Sequence, residues 1–224
     1  MKVVTLDGPA GAGKSTVSKQ LAERLRWRLL DTGAMYRAVT VAALRAGVDL
    51  QSDDELGALA ERTSVRLPEG QVLLNDEDVS ALIRTLKVTK ASRFIADSPQ
   101  VRRKLVQWQR DFAVEFDVIA EGRDQGTVVF PNALRKFYIT ASLRERVRRR
   151  LAEYDARGES VSTEALEREI QERDARDAAR EIAPMKPADD AVVIDTTDME
   201  LAEVVEKLEA DIRERLSASQ GAVL

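Results

Sequence analysis

The order of apolar and polar positions predicts that the chain opens as a strand, a loop and a helix. Lys2–Leu6 is short, β-branched and apolar, which is typical of a strand buried on both faces. A glycine-rich turn follows over Gly8–Gly13. Beyond it, Val17, Leu21 and Leu25 recur at four-residue spacing, which places them on one face of a helix. A strand, a loop and a helix in this order form the first unit of an α/β fold.

The alternation of strands and helices continues to the end of the chain. Further strands are predicted over Arg28–Asp31, Asp117–Ala120, Lys136–Ile139 and Ala191–Ile194. Helices are predicted over Ala34–Leu44, after the capping residues Ser52, Ser98 and Ser142, and around Leu201, Val205, Leu208 and Ile212. In the helix after Ser98, the buried stripe is expected at Val101, Leu105, Trp108 and Phe112.

Two segments depart from this alternation. Ser64–Leu67 and Val72–Leu74 flank the turn Pro68–Gly70, which predicts a β-hairpin and a small inserted subdomain at about 60–85. The stretch from Thr163 to Arg180 is highly charged and offers few apolar anchors beyond Leu166 and Ile170. A helix with so little apolar surface is a candidate mobile lid.

Composition narrows the possible chemistry. The 224 residues fit one domain with appendages, and 44% of them are hydrophobic, which suffices for a sizeable core. The chain has no cysteine and no histidine, which excludes disulfide scaffolds, zinc sites, haem ligation and histidine-dependent triads. A formal net charge of −4 argues against a strongly basic nucleic-acid-binding protein. Without a membrane-spanning run or a signal-peptide layout, the sequence reads as a cytoplasmic protein.

The glycine-rich turn carries a specific motif. Gly8–Ser15 matches G-x-x-x-x-G-K-[ST] at every defined position, between a predicted strand and a predicted helix. Glycines let successive N–H groups point into one concavity that solvates phosphate oxygens, and the helix adds its positive N-terminal end. Lys14 can reach the β- and γ-phosphates, and the Ser15 hydroxyl can ligate Mg²⁺. The plainer alternative is a glycine-rich turn without a ligand.

Other signals weigh against the commonest alternatives. A GTPase would normally add N-K-x-D, which the chain lacks, and Asp54–Gly57 fits D-x-x-G only inside a helical pattern. Arg144, Arg146, Arg148, Arg149 and Arg150 form a basic cluster on one predicted helix, which could indicate nucleic acid binding. In an acidic chain, several of these arginines are better explained as a solvated helix face.

Taken together, the motifs resemble one family, the bacterial cytidylate kinases, of the nucleoside-monophosphate-kinase type. The matching blocks follow the family's order along nearly the whole chain. They are Gly8–Thr16 (GPAGAGKST), Leu30–Arg37 (LDTGAMYR), Glu121–Pro131 (EGRDQGTVVFP), Glu172–Arg180 (ERDARDAAR), Asp190–Ala191 and Ile194–Thr196.

The resemblance implies roles for individual residues. All of Gly8, Pro9, Ala10, Gly11, Ala12, Gly13, Lys14, Ser15 and Thr16 would bind the donor nucleotide. The implied catalytic residues are Lys14, Arg123, Arg173 and Arg180. The implied acceptor contacts are Thr32, Arg37, Arg102, Arg123, Asp124, Arg173, Asp177 and Arg180. Ser92 is a further possible cytosine contact, although its spacing to Pro99 is one residue longer than expected. Gln125 replaces the aliphatic residue usual after Gly-Arg-Asp, which should alter packing rather than chemistry.

Charge supports this reading on physical grounds. Donor and acceptor together bring about four or five negative charges into one site, and five arginines, Lys14 and Mg²⁺ would screen them. The attacking phosphate oxygen, whose second pKa is ~6, needs no general base. A chain without histidine therefore suits diphosphate synthesis. Each arginine could instead be a solvated surface charge, Asp177 could simply pair with a neighbouring arginine, and Glu121 could assist Mg²⁺ or be purely structural.

We therefore predict an α/β P-loop fold with a parallel sheet, helices on both faces, a helical lid and a small β-containing inserted subdomain. The expected limits are one kinase domain over 1–224, a nucleotide-binding insertion at about 32–100 and a lid at about 156–183. The predicted reaction uses ATP and Mg²⁺ to phosphorylate CMP or dCMP, in a monomer without nucleic acid or membrane partners. A uridylate or adenylate kinase, a nucleotide-dependent binding switch and a nucleic-acid-linked ATPase remain the alternatives.

Overall fold

The computed structural model describes residues 1–68, 70–156 and 158–221. Its strands are β1 Val3–Asp7, β2 Arg28–Asp31, β3 Val65–Arg66, β4 Leu73–Leu74, β5 Glu77–Asp78, β6 Val118–Glu121, β7 Arg135–Thr140 and β8 Val192–Asp195. Its helices are α1 Lys14–Leu25, α2 Thr32–Ala46, α3 Asp53–Glu61, α4 Leu86–Asp97, α5 Pro99–Glu115, α6 Leu143–Asp155, α7 Thr163–Ala178 and α8 Leu201–Gly221. Glu69 of the predicted hairpin turn, Arg157 of the predicted lid and residues 222–224 lie outside the described residues.

Five strands form a sheet in the order β2-β6-β1-β7-β8, in which β1 runs parallel to β6 and β7, and β7 runs parallel to β8. Leu6 of β1 lies opposite Glu121 of β6 and opposite Phe137 of β7. The carboxyl end of β1 therefore lies beside the carboxyl end of β6, which is the edge where parallel α/β sheets bind ligands. The predicted α/β fold, a parallel sheet flanked by helices, is confirmed.

The chain forms two compact units. The first unit comprises residues 1–29 and the chain from 115 onward. Its core gathers fully buried side chains from the sheet and from α1 and α8, including Leu6, Leu21, Phe137 and Leu208. Because α1 follows the phosphate motif directly, this core fixes the base of the loop that bears the motif.

A smaller apolar cluster in the same unit joins α6 and α7. Leu166 and Ile170, the two apolar anchors recognised in the charged stretch, are buried against Val147 and Tyr154 of α6. The helix predicted there is present over Thr163–Ala178, and its polar remainder is mostly exposed. The buried apolar contact of helix α7 is therefore narrow and is made with one neighbouring helix, α6.

The second unit spans residues 30–114 and contains α2 to α5 with the small sheet. Val65–Arg66 pairs antiparallel with Leu73–Leu74, so the predicted hairpin is confirmed. Three described elements of this unit were not predicted, namely the third strand Glu77–Asp78, the short 3-10 helix Leu82–Arg84 and the whole helix Leu86–Asp97. Helix α2 packs against both α4 and α3 within this unit.

Helix ends in both units follow the predicted capping chemistry. Ser52 accepts a hydrogen bond from the Glu55 amide, and Ser142 accepts one from the Glu145 amide, both at 3.3 Å.

The predicted buried stripe of α5 is only partly correct. Val101 and Leu105 are fully buried, but Trp108 is half-buried because the stripe continues through Gln109 and Ala113.

Candidate active site

The phosphate motif forms the bent connection between β1 and α1. Gly8, Gly11 and Gly13 have φ values of 140°, 77° and 89°, a region that glycine adopts without steric cost. At Gly8 a Cβ would lie 2.0 Å from the carbonyl oxygen of Ile139, so the position also requires glycine for space. Gly13 caps α1, whose free N-terminal amides follow directly. The motif thus has the backbone conformation that a phosphate loop needs.

Lys14 is buried inside this loop. Its Nζ donates a hydrogen bond to the carbonyl oxygen of Pro9 at 2.7 Å. Burial, with the positive charges of Arg123 and Arg173, lowers the pKa of Lys14 to about 7, against the opposing effect of the carboxylates of Glu121 and Asp7. Both guanidinium groups must stand close to the ammonium group to have this effect. An anionic ligand in the loop would therefore favour the charged form of Lys14.

Ser15 lies at the start of α1, and its hydroxyl donates to a carboxylate oxygen of Glu121 at 2.7 Å. The pair combines the hydroxyl named in the motif with the carboxylate at the end of β6. Hydroxyl and carboxylate oxygens are ligands that Mg²⁺ prefers, usually completed by waters and substrate phosphates. Among the described residues no group of three or more histidine, cysteine or carboxylate side chains could hold a metal ion by itself.

Asp7, which sequence reasoning missed, anchors the turn that carries Arg123 and Asp124. Its buried carboxylate accepts the amide N–H of Gln125 at 2.9 Å and that of Gly126 at 2.7 Å. A Cβ at Gly126 would lie 2.9 Å from Thr5, so glycine lets the turn approach β1 closely. Desolvation is the main cause that raises the pKa of Asp7 to about 6. Gln125 is itself buried, as its predicted packing role requires.

Three of the predicted arginines meet at one carboxylate. Asp177 accepts a hydrogen bond from Arg123 Nε at 3.1 Å and lies 2.7 Å from Arg180 Nη2 and 4.0 Å from Arg173 Nε. The Asp177 side chain is only 6% exposed. Asp177 does pair with Arg173 on its own helix, but it also binds Arg180 just beyond that helix and Arg123 from the turn after β6. The structure therefore gathers Arg123, Arg173 and Arg180, together with Lys14, around one place in the first unit.

Helix α6 contributes two arginines of the basic cluster, for which the sequence analysis had predicted no role in the site. Arg146 donates to the carbonyl oxygen of Ala10 at 3.1 Å and forms an ion pair with Asp174. Arg149 donates to the carbonyl oxygen of Ala12 at 3.3 Å. Both arginines therefore support the outer side of the phosphate loop. The missed signal was their spacing of three residues, which places them on one face of the helix.

The remaining arginines of the basic cluster differ in their surroundings. Arg148 pairs with Glu145, and Arg150 pairs with Glu153, within the same helix. Arg144 is exposed. A helix whose cations are largely paired with its own carboxylates, or turned toward the loop, is a poor nucleic acid surface. Asp54–Gly57 lies inside α3, as the helical pattern predicted, and is not a GTPase loop.

In the second unit, Thr32 and Arg37 share the first turns of α2. Asp31 caps this helix by accepting the Ala34 amide at 2.8 Å, and it stands 3.7 Å from the Arg37 guanidinium. A Cβ at Gly33 would lie 3.2 Å from Arg37 Nη1, so the small residue leaves room for the guanidinium. Thr32 is buried and Arg37 is partly buried. Arg37 is thus held over the start of α2 and is not a freely solvated charge.

Arg102 lies on α5 in the same unit and is 5% exposed. Its guanidinium lies 5.8 Å from the centre of the Tyr36 ring and donates weakly, at 3.4 Å, to the carbonyl oxygen of Ala96. The structure therefore brings Arg102 close to α2. Ser92 lies on α4, where its hydroxyl donates to the carbonyl oxygen of Thr89 at 2.8 Å. This hydrogen bond lies within α4 and does not orient the Ser92 hydroxyl toward a cytosine base.

No helix in the described ranges combines the length and the apolar character needed to cross a membrane. The phosphate loop and the arginine cluster bring several cationic side chains together, an arrangement suited to anionic ligands. Its parts lie in the blocks quoted from the sequence, and comparison with known proteins identifies the family.

A model of the cytidylate kinase family matches residues 4–214. Proteins named cytidylate kinase from Salmonella paratyphi B and Salmonella newport are each 46% identical to this chain over 219 residues, covering 96% of both chains. A crystal structure of an uncharacterised protein from Eubacterium ventriosum has a TM-score of 0.51 at 10% identity, covering 95% of this chain and 99% of its own, which indicates a shared fold alone. The match over nearly the whole chain shows that this protein belongs to the cytidylate kinase family.

Proposed function

We propose that the chain transfers the γ-phosphoryl group of ATP to CMP or dCMP, giving ADP and CDP or dCDP. Family membership supports the reaction. The observation that carries it is the convergence of Arg123, Arg173 and Arg180 on Asp177, close to Lys14 of the phosphate loop. Cations gathered at one place suit a reaction between two polyanions.

We assign the donor to the phosphate loop. Gly8–Thr16 would surround the phosphates of ATP with backbone amides and the N-terminus of α1. Lys14 would bind the transferring group, whose negative charge restores the ammonium form that burial disfavours. Ser15 and Glu121 would hold Mg²⁺ with the help of water and the phosphates. The bound Mg²⁺ would neutralise charge on the phosphate oxygens.

The acceptor phosphate would be the nucleophile. Its second pKa is ~6, so at neutral pH an oxygen is already ionised and no side chain has to remove a proton. The protein's contribution is then to place the two groups in line and to stabilise the charge on the transferring phosphoryl group. We assign that stabilisation to Lys14, Arg123, Arg173 and Arg180.

The acceptor contacts are assigned residue by residue from the family's pattern. Arg37 and Arg123 would bind the phosphate of CMP, since a planar guanidinium suits phosphate oxygens. Thr32 and Arg102 would contact the nucleotide near the start of α2, and Asp124 would help to recognise it. Asp177, with Arg173 and Arg180, would address the sugar hydroxyls and phosphates. Residues 156–183, with α7 at their centre, would act as the lid that excludes water.

The direct test is an assay of the purified protein with ATP and Mg²⁺ against CMP, dCMP, UMP, AMP and dTMP. We expect CMP and dCMP to be the best acceptors. Preference for UMP or AMP would identify another kinase of the same fold, and ATP binding without any phosphorylated product would favour a binding switch. ATP hydrolysis that depends on added RNA would identify a nucleic-acid-linked ATPase.

A pair of variants on one helix tests the acceptor assignment. Arg37→Met should reduce kcat/KM for CMP by about 10- to 100-fold, the cost of one charged hydrogen bond of about 1.5–3 kcal/mol, without changing ATP affinity. Arg45→Met is the matched control, because Arg45 also lies on α2 but is exposed and pairs with Glu77. Equal effects of the two substitutions would contradict the role of Arg37.

We also propose that the chain acts as a cytoplasmic monomer, because every residue assigned above belongs to the same chain. Light scattering at the concentration of the kinetic assays gives the mass in solution, which we expect to be near 24.9 kDa. A mass of twice that value would contradict the monomer.

A further inference from the structure

We propose that Arg146 and Asp174 form a positioning pair that ties helix α7 to the phosphate loop. The inference rests on the proposed function, because α7 carries Arg173 and Asp177, two residues assigned to the acceptor. Neither Arg146 nor Asp174 is assigned a contact with either nucleotide, so the pair would act through the residues that it holds.

Arg146 donates hydrogen bonds to three partners. Its Nη1 donates to the carbonyl oxygen of Ala10 at 3.1 Å and to the Asp174 carboxylate, and its Nε donates to the carbonyl oxygen of Ala141 at 3.1 Å. The residue is 8% exposed. At Gly11 a Cβ would lie 3.1 Å from Arg146 Cβ and 3.2 Å from its carbonyl oxygen, so the loop packs tightly against this point of α6. Arg146 therefore joins the loop, α6 and α7.

Asp174 completes the link from the other side. Its second carboxylate oxygen accepts the amide N–H of Ala10 at 3.4 Å, so both backbone groups of Ala10 are bound within the pair. Its side chain is 18% exposed. A partly buried ion pair that also binds backbone groups is geometrically specific, unlike an exposed pair.

The position of Asp174 gives the pair its functional meaning. Asp174 directly follows Arg173 and stands one helical turn before Asp177. The buried apolar anchors of α7, Ile170 and Leu166, lie respectively about one and two turns nearer its N-terminus than Asp174. The pair is thus placed to fix the end of α7 that bears the functional residues, whereas the apolar cluster fixes the other end.

A double-mutant cycle with Asp174→Ala and Arg146→Met tests the proposal. Each single substitution should reduce kcat about 10-fold or more at saturating ATP and CMP, and the double variant should be no slower than Arg146→Met alone. Asp174→Ala should change the affinity for ATP, measured with a fluorescent ATP analogue, less than threefold. Multiplying effects in the double variant, or a kcat within twofold of wild type for Asp174→Ala, would overturn the proposal.

The chain offers a matched control pair of similar geometry and burial. Arg135 on β7 and Asp211 on α8 form two hydrogen bonds of 2.6 Å, with side chains 15% and 29% exposed. Arg135→Met and Asp211→Ala should lower the melting temperature without lowering kcat. If kcat falls in both pairs in proportion to the melting temperature, the role of Arg146 and Asp174 is only structural, and the proposal fails.

Hydrogen exchange measured by mass spectrometry gives a readout that does not depend on the reaction. Without nucleotide, Asp174→Ala should accelerate amide exchange in residues 172–178 about 10-fold, with no change in α8. Arg146→Lys guards against a misfolded Arg146→Met variant, because a lysine keeps the charge but cannot reach three acceptors, and it should show the same acceleration. Unchanged amide exchange in residues 172–178 would refute the proposal that the pair holds this end of α7. If exchange responds but CMP is not phosphorylated by the wild type, the proposed function fails and the pair stands.

Discussion

Asp7→Asn tests the electrostatics of the site most directly. In the fold the pKa of Asp7 is about 6 instead of its ordinary 3.8, mainly because burial removes water from the carboxylate. At about 1.36 kcal/mol for each pH unit, this difference corresponds to about 3 kcal/mol. The native state holds the proton more tightly than the unfolded chain. This contribution to stability is therefore complete below pH 3.8 and is lost as the pH rises through about 6.

The amide of an asparagine does not titrate. The free energy of unfolding of Asp7→Asn, minus that of the wild type, should therefore rise by about 2.4 kcal/mol between pH 4 and pH 7, most of the full difference. Urea unfolding of both proteins at several pH values measures this difference. If the free energies of unfolding of the two proteins change in parallel with pH, Asp7 is not the buried carboxylate described here and the reasoning is wrong.

Glu145→Gln is the control of opposite sign. Its hydrogen bonds with Arg148 and Arg149 lower the pKa of Glu145 to about 2, so its contribution is present above the ordinary 4.5 and is lost as the pH falls toward 2. The stability of Glu145→Gln relative to wild type should therefore improve only toward acid.

The same Asp7 variant should separate activity from stability. An asparagine offers one acceptor oxygen where the carboxylate accepts two amides, so the turn bearing Arg123 loses one of its anchors. We expect kcat to fall about 10-fold or more, while the melting temperature at pH 7 does not fall. Kinetics and thermal unfolding on one preparation check both parts.

Three further outcomes are expected. Gly8→Ala should abolish binding of a fluorescent ATP analogue, because the added Cβ would collide with Ile139. Gly47→Ala is the control, since Gly47 also has a positive φ of 67° but an added Cβ would meet no atom within 4 Å. It should lower the free energy of unfolding by only about 1 kcal/mol and leave the kinetics unchanged. Lys14→Met should reduce kcat by several orders of magnitude, because the charge on the transferring group loses a stabilising cation. It should also raise the melting temperature at pH 7, because burial disfavours the ammonium form of Lys14. A lower melting temperature would contradict that electrostatic account. When ATP binds at pH 8, the protein should take up close to one proton, because Lys14 becomes charged. Calorimetry in buffers of different ionisation enthalpy measures this proton uptake. Zero uptake would exclude a Lys14 pKa near 7.

Local signals were sufficient for the parts of the fold that depend on neighbouring residues. The opening strand, the phosphate loop and α1 are adjacent in sequence, and each has its own pattern. Helix α4 escaped detection because its buried positions include the weakly apolar Ala91, and its N-cap Thr85 makes no side-chain capping bond. The strand Glu77–Asp78 is exposed and only two residues long, so its pairing with β4 left no hydrophobic alternation to read.

The same distinction between local sequence signals and long-range contacts applies to the candidate site. The residues of the phosphate loop could be named because their spacing is itself the signal. Asp7 could not, since its partners Gln125 and Gly126 lie more than 115 residues away and are reached only through sheet pairing. Arg146 looked like a surface cation because its neighbours in sequence are charged, and its burial depends on a loop more than 130 residues earlier. Contacts made only by the folded sheet carry no local signature.

The division of the chain into residues 30–114 and the two segments around them has a consequence for biosynthesis. All of the segment 30–114 leaves the ribosome as one continuous piece, so its contacts can form early. Strand β1 emerges before it, yet its neighbours β6 and β7 begin only at Val118 and Arg135. The first strand and the nucleotide loop must therefore wait, unpaired, for more than half of translation, and are exposed to proteases and chaperones in that interval. Nascent chains stalled before β6 should accordingly be cut first near their N-terminus.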